Sequence, residues 1–159
     1  MKYIKITPSD VLNGDGLRVV LWVAGCGHYC KGCHNPESWN PNNGKEFTEK
    51  DKEYIFKLLE DDFIKGITFS GGDPFYIDNR EDIKKLAKEI KEKFPNKDIW
   101  LWTGYTLNQI LKIDETLLEN IDILVDGRYE CDLPHTKRYR GSDNQLRYKI
   151  ENGKYTLLD

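Results

Sequence analysis

The sequence has little apolar continuity and no excess of one charge. Its longest uninterrupted apolar run, Val19 to Ala24, is far shorter than the roughly 20 residues that cross a bilayer, and Met1 to Asp10 contains no signal-peptide hydrophobic stretch. These absences predict a soluble, cytoplasmic protein with no membrane partner. The 24 basic residues stand against 27 acidic ones, for a formal charge of −3, which leaves no polycationic surface to wrap nucleic acid. No convincing Ser/His/Asp set or pair of catalytic carboxylates is present, so acid–base machinery is not expected. Repeats, low-complexity tracts and linkers are missing too, and 159 residues predict a single domain spanning 1–159. A closed eight-fold β/α barrel needs about 250 residues, so any barrel built from this chain is incomplete.

What the sequence does contain is an alternation of strand and helix patterns. Lys2 to Ile6 predicts a short strand, Asn13 to Gly16 a hairpin turn, and Leu17 to Ala24 a buried strand. Asn35 to Gly44, with Pro36, Pro41 and several asparagines, predicts a loop. Thr48 caps a predicted helix running to about Glu60, and Ile67 to Phe69 is a strand ending in Ser70-Gly71-Gly72-Asp73-Pro74. A second amphipathic helix carries Ile83, Leu86, Ala87, Ile90 and Phe94 and stops at Pro95. Strands at Ile99–Trp102 and Ile121–Val125 flank a short helix near Thr106–Leu111, and Lys154–Leu158 predicts a last strand. This order implies an α/β fold with a mainly parallel sheet, an open, partial (β/α) barrel whose loops converge on one carboxyl edge.

Three of the four cysteines, Cys26, Cys30 and Cys33, crowd into one loop, which favours metal binding over disulfides. Three thiolates at this spacing suit three irons of a [4Fe-4S] cubane and leave the fourth iron without a protein ligand. Such an open position serves chemistry, whereas structural sites normally saturate theirs. The alternative from the same residues is a Cys3His zinc site completed by His28 or His34, which makes the protein a non-enzymatic Fe–S or zinc binding module. Cys131, distant in sequence, is expected to be structural or incidental.

The segment Gly25-Cys26-Gly27-His28-Tyr29-Cys30-Lys31-Gly32-Cys33-His34-Asn35 resembles the signature of radical S-adenosylmethionine enzymes, and Ser70-Gly71-Gly72-Asp73-Pro74 resembles their second motif. Two further segments, Asn13 to Arg18 and Val125-Asp126-Gly127-Arg128 with Arg140-Gly141-Ser142-Asp143-Asn144-Gln145, make the chain most similar to the family that activates anaerobic ribonucleoside-triphosphate reductase.

That resemblance implies a [4Fe-4S] cluster on Cys26, Cys30 and Cys33, and S-adenosyl-L-methionine held by Gly32, Cys33, His34, Gly71, Gly72 and Asp73, with the Gly-Gly-acid turn taking the methionine ammonium. It also implies an electron from an unidentified donor, a 5′-deoxyadenosyl radical, and hydrogen removal from a glycine of the reductase as protein partner. No side chain of the chain itself is then a catalytic acid or base. Other readings within the resemblance are an activase of a different glycyl radical enzyme and a radical enzyme acting on a small molecule. Position 32 is Gly where many relatives have an aromatic residue that meets adenine, so that contact is expected from Tyr29, His34 and local backbone. Asp73 stands where Glu is common.

Two further expectations concern substitution and docking. A larger side chain at Gly72 is expected to block the cofactor and spare the cluster. The tail, with Arg128, Lys137, Arg138, Arg140, Arg147 and Lys149, is expected to contribute to a partner surface beside the open barrel edge.

Overall fold

The computed structural model describes residues 1–159. Eight strands form one sheet, β1 (Lys2–Asp10), β2 (Arg18–Val23), β3 (Lys45–Glu46), β4 (Gly66–Gly71), β5 (Asp98–Trp102), β6 (Ile123–Asp126), β7 (Leu146–Glu151) and β8 (Lys154–Leu157), in the order β3-β1-β2-β4-β5-β6-β7-β8. The first and last strands of that order do not pair, so the sheet is an open, partial barrel. Its centre, β2-β4-β5-β6, is parallel, and antiparallel strands extend both sides, which makes the whole sheet mixed. The helices are α1 (Glu49–Leu59), α2 (Arg80–Lys93) and α3 (Leu107–Asp114).

Period-two alternation in the parallel strands divides the two faces of the sheet. Val19, Leu21, Ile67, Phe69, Ile99, Leu101 and Leu124 lie on one face in matching register and pack with Ile55 and Leu59 of α1, Ile83 and Ile90 of α2, and Ile110 of α3. All three helices therefore cover this face and bury the main core there. The helix starts follow local chemistry. The Thr48 amide donates to the Asp51 carboxylate at 2.8 Å ahead of α1, and Thr106 and Gln109 exchange hydrogen bonds of 2.9 and 3.2 Å ahead of α3.

The opposite face carries Trp22, Ser70 and Trp102 near the carboxyl edge and Thr68 and Trp100 further in. Its inner end is organised by Arg18, whose side chain is fully buried. Arg18 donates to Thr68 Oγ1 at 2.9 Å, to the Asp15 carbonyl at 2.8 Å and to the Ile67 carbonyl at 2.9 Å, and it pairs with Asp98 at 2.6 Å. Thr68 in turn donates to the Asn13 carbonyl at 2.9 Å, so the predicted hairpin turn joins β1 to β2 and also folds against this face.

Three strands go beyond the sequence reading, one of them the short β3 at Lys45–Glu46. β1 continues to Asp10, and Leu146–Glu151, read as basic tail, forms β7 in a hairpin with β8 through Asn152-Gly153, both at positive φ. No helix is long and apolar enough to cross a membrane.

Candidate functional site

Four loops at the carboxyl ends of the parallel strands surround a cavity of about 380 Å³. The cysteine loop leaves β2, the Gly71-Gly72-Asp73 turn leaves β4, Thr103-Gly104 follows β5, and Gly127 follows β6. Cys26, Cys30, Cys33, His34, Gly71, Gly72 and Asp73 all line the cavity; Gly32 is exposed and does not line it.

The cysteine loop is fixed at its base by backbone. Gly25 N donates to the Ser38 carbonyl at 2.7 Å and Cys26 N to the Trp39 carbonyl at 3.1 Å. Gly72 N donates to the Val23 carbonyl at 2.8 Å and Asp73 N to the Gly25 carbonyl at 2.7 Å, which stitches the loop to the Gly-Gly-Asp turn. All four cysteines are free, and the three of the loop are half-buried. Burial pushes the Cys26 thiol up to about 11, so loading iron there must displace a firmly held proton.

The two glycines of the turn are required by packing. A Cβ on Gly72 would lie 2.5 Å from the Gly25 carbonyl oxygen and 2.8 Å from that of Ser38; on Gly71, at φ +110°, it would lie 2.5 Å from Val23 N. This corrects the expectation that a larger residue at position 72 spares the cluster, because the obstruction falls on the root of the cysteine loop. Gly72→Val is expected to reduce both iron uptake and S-adenosylmethionine binding, measured as iron per chain and by equilibrium dialysis. A variant with full iron would show that the loop tolerates the displacement.

Asp73 is 1% exposed. Its carboxylate accepts hydrogen bonds from Phe75 N at 2.8 Å, Thr103 Oγ1 at 2.8 Å and Gly104 N at 2.9 Å, and His28 Nε2 lies 2.8 Å away as the fourth donor. Four donors fill the acceptor capacity of a carboxylate. Asp73 thus ties together the cysteine loop, its own turn and the turn after β5. The His28 ring also packs edge-on to Tyr105 at 4.6 Å, and the His28 carbonyl accepts from Arg128 at 2.6 Å.

Cys26, His28 and Asp73 bring their ligand atoms within 4.8 Å of one another. The carboxylate is saturated and His28 Nε2 is directed at it, so this trio is an internal network. His34, the other histidine of the loop, lies against the Tyr129 ring at 5.0 Å.

Sequence reasoning offered His28 only as a zinc ligand, and it missed Thr103, Gly104, Tyr129 and Gln145 as parts of the site. The Thr103-Gly104-Tyr105 turn at a strand's carboxyl end was the visible signal for two of them. Gln145 and Tyr129 come from the segment after β6, where only the resemblance pointed. Asp126 is buried, which raises its pKa, and it accepts from Leu107 N at 2.7 Å, joining β6 to the first turn of α3. Tyr29, offered above for the adenine, is 64% exposed, does not line the cavity and packs edge-on to Trp39 at 5.2 Å.

Three free cysteines on one loop, half-buried beside a glycine turn, are a donor set suited to an iron–sulfur cluster and to a small ligand next to it. The class agrees with this geometry: the family described as "4Fe-4S single cluster domain" matches residues 12–147. An anaerobic ribonucleoside-triphosphate reductase-activating protein of Enterobacteria phage T4 is 45% identical over 153 residues, covering 96% of this chain and 97% of the relative. Proteins of the same description from Escherichia coli K12 and Vibrio cholerae are 42% and 40% identical, over 92% and 94% of the chain and 97% and 99% of the relatives. The chain belongs to the family of anaerobic ribonucleoside-triphosphate reductase-activating proteins.

Proposed function

We propose that residues 1–159 act as one radical S-adenosylmethionine domain that installs a glycyl radical on an anaerobic ribonucleoside-triphosphate reductase. The observation that carries this reading is the meeting of three free cysteines with the Gly71-Gly72-Asp73 turn in one cavity at the edge of an unclosed sheet. When bound, the [4Fe-4S] cluster and S-adenosylmethionine supply one-electron cleavage and hydrogen abstraction, with the electron coming from a separate, unidentified donor.

The chain's own residues hold and orient. Cys26, Cys30 and Cys33 are the iron ligands. Asp73 and His28 hold the cysteine loop at a fixed distance from the β4 and β5 turns. With its carboxylate filled by protein donors, Asp73 leaves the methionine ammonium to outward-facing backbone of its turn. The absence of disulfides suits a reducing cytoplasm, where we place the protein. The test is anaerobic reconstitution with iron and sulfide, then assay of 5′-deoxyadenosine and of the glycyl radical signal on added reductase. 5′-Deoxyadenosine without a radical on the reductase would support the class and reject the partner.

The partner surface is narrower than the tail's composition implies. Arg140 is buried, donating to the Arg138 and Gln145 carbonyls at 3.1 and 3.0 Å and pairing with Asp159; Arg147 binds the same Asp159 at 3.0 Å. These two hold the fold, and Arg128 holds the cysteine loop through the His28 carbonyl. Of the exposed cations that remain, Lys149 faces Glu151 at 3.7 Å, and Lys137 and Arg138 form no ion pair. Reversing both to Glu is expected to weaken reductase binding severalfold at low salt and to leave partner-free cofactor cleavage unchanged. Equal binding by the parent chain and the variant would remove this rim from the interface.

A further inference from the structure

A side chain at position 32 would be crowded from its first carbon, at a φ of +74° that favours glycine. A Cβ there would come within 3.0 Å of Cys131 Cβ and 3.3 Å of its Sγ, with Tyr129 Cε2 at 3.8 Å. The segment after β6 therefore occupies the space beside the third cluster cysteine, and it brings a ring of its own. Tyr129 is half-buried and lines the same cavity as Cys33 and Gly72.

The Tyr129 ring is held by an arrangement that leaves no slack. A Cβ on Gly141 would fall 2.8 Å from Tyr129 Cδ1, so the glycine lets the ring lie directly against the backbone of 141. On another side the His34 ring sits 5.0 Å away, tilted by 40°. The flanking backbone is pinned on both sides: Asn144 donates to the Arg128 carbonyl at 2.8 Å, and Glu130 N donates to Ser142 Oγ at 3.0 Å. Gln145 donates to the Gly127 carbonyl at 2.9 Å and accepts from Gly141 N at 2.7 Å. The Arg140-to-Gln145 segment thus serves as a clamp that presents one aromatic ring to the cavity.

We propose that Tyr129 is the platform on which the adenine of S-adenosylmethionine stacks, supplied from the segment after β6 because Gly32 cannot supply it. This inference rests on the cofactor reading given above. A flat ring pre-set by Gly141 and His34 loses little freedom on binding, and base-on-aromatic stacking is the interaction such a ring provides.

The test uses the cluster-loaded chain under anaerobic conditions, with dissociation constants for S-adenosylmethionine and for free methionine, which lacks the adenine. Tyr129→Leu is expected to bind S-adenosylmethionine about tenfold more weakly, with iron content and methionine affinity unchanged. Tyr129→Phe, which keeps the ring, is expected to stay within about twofold of the parent chain. Equal affinity of parent and Tyr129→Leu for S-adenosylmethionine would overturn the proposal, as would an equal loss for methionine or a tenfold loss in Tyr129→Phe with iron intact. A parent chain that holds its cluster and binds no S-adenosylmethionine would instead overturn the cofactor reading itself, and this proposal with it.

Discussion

Single replacement of Cys26, Cys30 or Cys33 by alanine is expected to abolish the brown chromophore and bring reconstituted iron to background, whereas Cys131→Ala keeps both. The three loop cysteines are free, half-buried and line one cavity, and loss of any one leaves an iron of the cubane without its thiolate. Cys131 is closer to the loop than its sequence position implies, since its Cβ and Sγ lie beside Gly32. The alanine variant retains that Cβ and removes only the sulfur, so it separates packing from ligation. Iron and sulfide analysis with the visible spectrum reads the outcome. Loss of the cluster in Cys131→Ala would mean that a fourth thiolate completes the coordination, and the open iron position would go with it.

Asp73→Asn is expected to weaken the site before any cofactor is added. The amide replaces one acceptor oxygen with a donor, so it meets the Gly104 or the Phe75 backbone N–H donor to donor and forces His28 or the Thr103 hydroxyl to turn from donor to acceptor. Unsatisfied buried donors of this kind cost about 1–3 kcal/mol each, and the cluster-free variant should unfold at lower denaturant with lower iron uptake. Asp73→Glu should fail to rescue it, because the extra methylene moves the carboxylate off the four donors that fit it. Chemical denaturation of the cluster-free chains, followed by iron titration, distinguishes the roles. Unchanged stability and iron uptake in Asp73→Asn, together with lost S-adenosylmethionine binding, would show that the carboxylate faces the cofactor.

The elements of the parallel centre were legible because each carries its own signal. Thr48 and Thr106 cap helices, Pro95 follows one, and the apolar runs at Val19, Ile67 and Ile99 are strands buried on the helix-covered face. β7 was harder to read because Arg147, Tyr148 and Lys149 alternate with little burial, even though Asn152-Gly153 after it is a strong hairpin signal. The cysteines and the Gly-Gly-Asp turn were legible as contiguous motifs. The Asp73 network was not, since His28 and Asp73 are 45 positions apart and Thr103 is 30 further on, and their meeting depends on the parallel order of β2, β4 and β5. Arg140 and Arg147 read as surface charge for the same reason: nothing local shows that Asp159 returns to pair with them.

The placement of the core has a consequence for how the metal couples to the rest of the molecule. Residues from all three helices and the parallel strands complete one apolar cluster on the helix-covered side, and none of the loop cysteines belongs to it. Small zinc domains fold only when loaded, because the metal replaces a core they lack. Here the core contains none of the iron ligands, and the cysteine loop is tied down by backbone hydrogen bonds together with the side chains of Asn79, Asp73 and Arg128. Oxidative loss of the cluster would therefore empty the chain without denaturing it, leaving a receptacle that can be filled again when reducing conditions return.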